Sequence, residues 1–161
     1  MSIEIREANL AEIADAEALL HVLDSYARDA MGGAAALPEE VRQRLIPALR
    51  EQPQALVLLA FRDARVVGLA NCFFGFSTFA ARPLLNVHDL AVLPTHRGQG
   101  IGRALLQAAE EHARRRGCVK LTLEVREDNE RARGLYHDQG FRDFVLPGGS
   151  HRTLFLSKSL A

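Results

Sequence analysis

No charge of one sign dominates this sequence: twenty Lys and Arg residues stand against twenty Asp and Glu residues, for a formal net charge of +0. There is no global field to hold nucleic acid or an anionic membrane surface, so any charge selectivity has to be local. Cysteine is scarce. The two present, Cys72 and Cys118, share no metal-type spacing and lie in apolar stretches. That pattern speaks against a disulfide framework or a metal site and for buried thiols in a reducing compartment. No apolar run approaches the roughly 18 residues of a membrane span, and the opening MSIEIREANL carries no basic stretch leading into an apolar segment. The expectation is a cytosolic protein with neither membrane nor nucleic acid as partner. Internal repeats, low-complexity segments and linkers are missing too. What remains is 161 residues, 48% hydrophobic and 25% charged, read as one domain over residues 1–161, able to remove roughly 70% of its unfolded surface from water.

Along the chain, residues 3–6 alternate apolar and polar as a strand does, and Asn9 offers a cap for a helix bearing Ile13, Leu19, Leu20, Val22 and Leu23. Residues 31–37 (MGGAAAL) form a break. Pro38 with Glu39 and Glu40 then opens a second short helix, whose end Pro47 should disturb. The two helices are expected to make one flap. Residues 55–61 and 66–76 read as a hairpin across Arg62-Asp63-Ala64-Arg65. A strand at 84–92 is stopped by Pro94, and 100–116 has the spacing of a helix with one buried face, ended by Gly117. A strand at 119–125, a helix at 129–139 and two last strands at 141–146 and 153–156 complete a mixed α/β order with a strand-helix-strand unit at its middle.

The informative stretch is VHDLAVLPTHRGQGIGRALL, residues 87–106, where Gly98, Gly100 and Gly102 cluster as a strand hands over to a helix. Glycines let the backbone approach a ligand, and the free amides of a helix start point outward with the positive end of its dipole. This is a phosphate cradle, flanked by Arg97 and Arg103, whose guanidinium groups suit phosphate oxygens. A P-loop is excluded because Gly-Lys-Ser/Thr is missing. A dinucleotide fingerprint needs Gly-X-Gly-X-X-Gly, whereas here the glycines alternate, although Glu124 lies near the place of a ribose-binding acid. A turn without ligand is the remaining alternative.

Arg97, Gly100 and Gly102 match Arg/Gln-X-X-Gly-X-Gly/Ala, and Asn129, Tyr136, Gly140 and Phe141 match an Asn followed seven residues later by Tyr and then Gly-Phe. In both signatures the sequence resembles the GNAT superfamily of acyl-CoA-dependent N-acetyltransferases, over roughly residues 66–156. Within it, FFGFSTFAARPLLNVHDLAV looks most like the diamine and thialysine acetyltransferase branch. The resemblance implies a GNAT fold: a mixed, mostly antiparallel central sheet of about six to seven strands flanked by four helices and splayed between its two central strands. It implies acetyl-CoA as cosubstrate with no metal. Backbone groups of Leu90, Ala91 and Val92 would pair with the pantetheine arm. Amides from Arg97 through Gly98, Gln99, Gly100, Ile101 and Gly102 to Arg103 would hold the diphosphate, with Asn129 reaching the cofactor and Tyr136 aimed at its sulfur. A homodimer is implied as well.

An amine of pKa about 10.4 is neutral only to roughly one part in 2,500 at pH 7, so acyl transfer to a lysine-like acceptor requires a proton to leave. It also requires a stabilised oxyanion, for which an amide near Leu90 or Val92 is placed by analogy, and a group to meet the departing thiolate, the task assigned to Tyr136. For the base the branch places Glu-Asp where this chain has His88-Asp89. Histidine, aspartate acting through a water, Glu124 or an ordered-water relay all stay open, and neighbours on a strand face opposite sides, so at most one of His88 and Asp89 points into the slot. Residues 1–50 carry nine acids and five bases, whereas 94–116 carry five arginines and two glutamates. An acidic flap facing a basic cofactor side suits a cationic acceptor such as a polyamine, diamine or lysine-like amino acid. A CoA-binding sensor or partner module without catalysis, and an acetyltransferase of protein N-termini or lysines, are the alternatives.

Overall fold

The computed structural model describes residues 2–144 and 153–160. Strand β1 (Ile3–Glu7) leads into helices α1 (Ile13–Arg28) and α2 (Glu39–Arg50), followed by β2 (Ala55–Arg62), β3 (Arg65–Ser77) and β4 (Arg82–Val92). A 3-10 turn (Pro94–His96), helix α3 (Ile101–Arg115), strand β5 (Leu121–Leu123) and helix α4 (Glu130–Asp138) complete it. The five strands form one sheet in the order β1-β2-β3-β4-β5, antiparallel except for the parallel β4–β5 pair. Among the described residues there are five strands where six to seven are expected. Residues 141–144 and 153–156 take up no strand, and residues 145–146 of the first expected strand lie outside the described residues. None of the helices found among the described residues is long and apolar enough to cross a membrane.

Alternation along the central strands creates a core on each face. Leu56, Leu58, Val67, Ala70, Leu85 and Val87 pack under α3 through Ile101, Leu105, Leu106 and Ala109. Val57, Leu59, Leu69 and Ala91 pack under α1 and α2 through Leu19, Val22 and Leu49. α4 joins the α3 side through Leu135 and Tyr136. The β2–β3 hairpin closes on Asp63 and Ala64 at φ 49° and 60°, the two positive angles of a tight turn that matches strand twist.

Two local expectations fail for physical reasons. The Asn9 side chain accepts from the Ala11 amide before the helix begins, and α1 starts at Ile13 with no side-chain cap on Glu12. α2 runs through Pro47 to Arg50. A proline forfeits the bond to the carbonyl four residues back and its ring crowds that carbonyl. Here that is Gln43, exposed like Pro47, so water can take the carbonyl while buried Leu49 holds the helix end. Asp15, only 4% exposed, supplies part of what the missing cap does not. Its carboxylate accepts from Arg6 Nη1 and Nη2 and from the Asn9 amide, all at 2.7 Å, and so ties α1 to β1.

Candidate active site

Strand β4 carries the feature that opens the site. Asn71 pairs with Asp89, but Cys72 pairs with Val87, so His88 is an extra residue without a partner in β3. Such a bulge bends the strand and reverses its facing. Val87 is accordingly buried under α3 and Ala91 under α1, although four residues apart they would otherwise share a face. On its other side β4 pairs with β5 only from Leu85↔Leu121 to Val87↔Leu123. Past Val87 that edge of β4 has no neighbouring strand among the described residues. Leu90, Ala91 and Val92 therefore lie along this unpaired edge, while the expected strand at 119–125 is cut to Leu121–Leu123.

A cleft of 380 Å³ occupies this place. His88, Leu90, Glu124, Asn129 and Tyr136 line it, together with Tyr26 of α1, Met31 of the following loop and Phe155. Asp89 does not. Its Oδ2 accepts from Asn71 Nδ2 at 3.0 Å, and Asn71 Oδ1 is buried without a hydrogen-bond partner among the described residues. Of the adjacent pair, then, only His88 reaches the cleft, with its ring edge-on to Phe73 at 5.6 Å. The Tyr136 ring packs against Phe141 at 5.9 Å. Burial, with Tyr26 as a smaller cause, pushes the Tyr136 phenol up to about 12. The Tyr26 phenol is raised too, first by burial and then by the nearby Asp89 and Asp29 carboxylates. Asn129 both lines the cleft and caps α4, since its Oδ1 accepts from the Ala132 amide at 3.2 Å.

At the far end of β4 the chain turns into α3. Gly98 and Gly100 hold φ of 74° and 81°, and a Cβ on either would meet nothing within 4 Å, so they are needed for backbone conformation. Gly102 differs. A Cβ there would come within 3.1 Å of the Leu135 side chain, so this glycine lets α3 and α4 approach. Ala104 is the amide that donates to the Gly100 carbonyl, at 3.0 Å, which leaves the Ile101, Gly102 and Arg103 amides without an intrahelical acceptor. The two arginines do not both stand free. Arg97 donates to the Val92 carbonyl and to Asp29, whereas Arg103, half exposed, lies 3.7 Å from Asp138. Gln99 accepts from Arg62, and that arginine's Nε is buried and unpartnered among the described residues.

Neither cysteine belongs to the site. Cys72 is buried under α3, where burial pushes its thiol up to about 12, and the Cys118 thiol is raised by burial as well. Among the described residues no group of three or more His, Cys, Asp or Glu could hold a metal ion. Tyr26, Met31 and Asn71 are not among the site residues expected from the sequence. Tyr26 was within reach, because it follows buried Leu19 and Val22 at the seven- and four-residue spacing of one helix face. Asn71 stands out as a lone polar residue inside an apolar strand. Met31 had no such signal.

Comparison with known proteins agrees with this geometry. Residues 17–141 match the model of the acetyltransferase (GNAT) family. Thialysine N-epsilon-acetyltransferase of Bos taurus is 37% identical over 86 residues, covering 53% of this chain and 50% of that protein. An uncharacterized N-acetyltransferase of Bacillus subtilis is 29% identical over 101 residues, 63% of this chain and 68% of that one. The chain thus spans about half the length of the bovine relative. The crystal structure of a probable acetyltransferase superposes with a TM-score of 0.78 at 25% identity, covering 99% of this chain and 100% of the other.

Proposed function

The chain belongs to the acetyltransferase (GNAT) family, and from that premise we propose that it moves the acetyl group of acetyl-CoA directly onto a primary amine of a small cationic acceptor. A polyamine, a diamine or a lysine-like amino acid has the required chemistry. The observation that carries this reading is one strand, β4, whose unpaired edge joins a turn of free amides to a cleft lined by Tyr136. The turn fits a diphosphate: Gly98 and Gly100 leave open space where a side chain would stand, and three consecutive amides at the start of α3 lack intrahelical acceptors. The coenzyme supplies an activated thioester.

In this assignment the amides from Gly98 to Arg103 grip the diphosphate, the edge at Leu90, Ala91 and Val92 borders the pantetheine arm, and Asn129 closes the cofactor side of the cleft. Tyr136 meets the leaving sulfur. With its phenol pushed up to about 12 it keeps its proton over any working pH and can donate. His88 is the candidate base that lines the cleft, with Glu124 on the same wall. Asp89 acts at most through a water, because its carboxylate accepts from Asn71. The cationic acceptor enters beneath α1. Glu124 lines the cleft beside Arg126, whose guanidinium is paired with Asp128, and the Asp89 carboxylate acts on the Tyr26 phenol from nearby, so Glu124 and Asp89 are the carboxylates this side offers a cation. The thialysine acetyltransferase among the relatives supports the same acceptor class. Exposed Phe76 and Phe79, beside the β3–β4 turn, support a homodimer, which sedimentation velocity tests.

The deciding assay measures thiol release from acetyl-CoA against a panel of putrescine, spermidine, lysine and thialysine. Turnover with at least one of them is expected. Coenzyme binding without turnover for any amine would leave a binding module, and a mass gain on proteins alone would leave a protein acetyltransferase.

A further inference from the structure

Arg97 lies in the turn assigned to the diphosphate, yet its guanidinium is already engaged. Nε donates to the Val92 carbonyl at 3.1 Å, and Nη2 donates to Asp29 Oδ2 at 2.8 Å, across 68 residues of sequence. The side chains are only 24% and 20% exposed. Asp29 follows the last residue of α1, and it organises the loop beyond. Its Oδ1 accepts from the Met31 amide at 2.9 Å, and its carbonyl accepts from the amides of Gly32, Gly33 and Ala34 at 2.9, 3.1 and 3.0 Å. The loop is folded so tightly on the helix end that a Cβ on Gly32 would stand 1.9 Å from the Tyr26 carbonyl oxygen. Met31 and Tyr26, at its two sides, line the cleft.

We propose that the Asp29–Arg97 bridge is a strap by which the β4–α3 turn sets the acceptor wall of the cleft, and that the Arg97 guanidinium serves this loop instead of the phosphates. Both are positioning residues. Removing one member of a partly buried ion pair strands the other charge, so the loop loses its anchor and the amide bonds it makes to Asp29 open more readily. The same contacts that draw the loop together hold the Asp29 carboxyl below the usual carboxylate range, the Met31 amide first and Arg97 second. The proposal rests on the reading of the turn as the coenzyme site, and its test separates the two.

Hydrogen exchange followed by mass spectrometry is run on the full chain without ligand, for wild type, Arg97→Gln, Arg97→Lys and Asp29→Asn. In Arg97→Gln the amides of residues 31–34 should exchange about tenfold faster, the scale of one lost charged hydrogen bond. Core amides of β3 should stay protected, which separates loop release from misfolding. Arg97→Lys, which keeps the charge for Asp29, should recover part of the protection. Unchanged exchange of 31–34 in Arg97→Gln overturns the strap. Calorimetry with coenzyme A supplies the second arm. Asp29→Asn should bind within about threefold of wild type, whereas a tenfold gain would mean that Asp29 restrains a phosphate-binding arginine, which also overturns it. With thialysine as acceptor, Asp29→Asn should raise KM about tenfold and leave kcat within about twofold. Failure of coenzyme A to bind any variant, wild type included, would instead remove the cofactor reading, and the exchange result would stand by itself.

Discussion

Replacing Tyr136 with phenylalanine tests the proposed chemistry most directly. The substitution deletes one hydroxyl and keeps the ring against Phe141. That hydroxyl meets no hydrogen-bond partner among the described residues, so stability should change by under about 0.5 kcal/mol, a shift of under about 2 °C in the melting midpoint. The catalytic loss is larger. A hydrogen bond to a charged group contributes about 1.5–3 kcal/mol, and each 1.36 kcal/mol of barrier is tenfold in rate, giving a loss of about 10- to 160-fold. Burial deep enough to push the phenol to about 12 favours the upper part of that range, about 10². The assay is thiol release at saturating acetyl-CoA with thialysine, paired with calorimetry of coenzyme A. We expect kcat to fall about 10²-fold while coenzyme affinity stays within about threefold. The sign of the pH effect follows from the same burial. The folded phenol titrates above the unfolded one, so its stabilising contribution is complete below about pH 10 and is lost as pH rises toward 12. No limb of the rate profile between pH 6 and pH 9 should therefore belong to Tyr136, and the mutant profile should keep the wild-type shape. Unchanged turnover would refute the role, as would a coenzyme affinity that falls in step with kcat.

Asp15→Ala removes three hydrogen bonds at 2.7 Å that fasten α1 to β1 and should cost about 2–3 kcal/mol in urea unfolding, limited because Arg6 is still partly wetted. Since Arg6 is the main cause holding the Asp15 carboxyl below its usual range, the stability it supplies should be full above about pH 4 and fade as pH falls below that, a fade absent from the mutant. Ala64→Gly relieves a residue at φ 60° in the β2–β3 turn and should raise stability by about 0.5–1 kcal/mol in thermal melts, whereas a loss would mean that the angle carries no strain. Cys72→Ala and Cys118→Ala should leave turnover within about twofold, with Cys72→Ala costing about 1 kcal/mol of stability from its core position. Abolished turnover in a folded variant would refute direct transfer.

Much of the fold was legible because local chemistry and tertiary structure agree there. Apolar spacing on residues 101–115, Gly117 at φ 71° beyond the helix end, and positive φ at Gly98 and Gly100 all follow from residue types alone. Asn129 and Tyr136 keep their spacing as the cap and the cleft face of one helix. Where sequence reading went astray, distant partners decided. Residues 119–125 alternate like a seven-residue strand, yet the strand is only Leu121–Leu123: Val119 and Lys120 still bond to Pro83 and Leu85 of β4, while residues 124–125 lose their neighbour because β4 bends away at the bulge beside them. Pro47 continues a helix whose end Leu49 anchors in the core.

The turn between β4 and α3 and the residue types of the site are local matters, since glycine conformation, helix dipoles and apolar periodicity act over a few residues. It took long-range packing to bring His88 and not Asp89 to the cleft, to add Tyr26 and Met31 to its lining, and to engage Arg97 with Asp29. Those outcomes depend on one extra residue in a strand register and on an ion pair spanning 68 positions. No local preference encodes either.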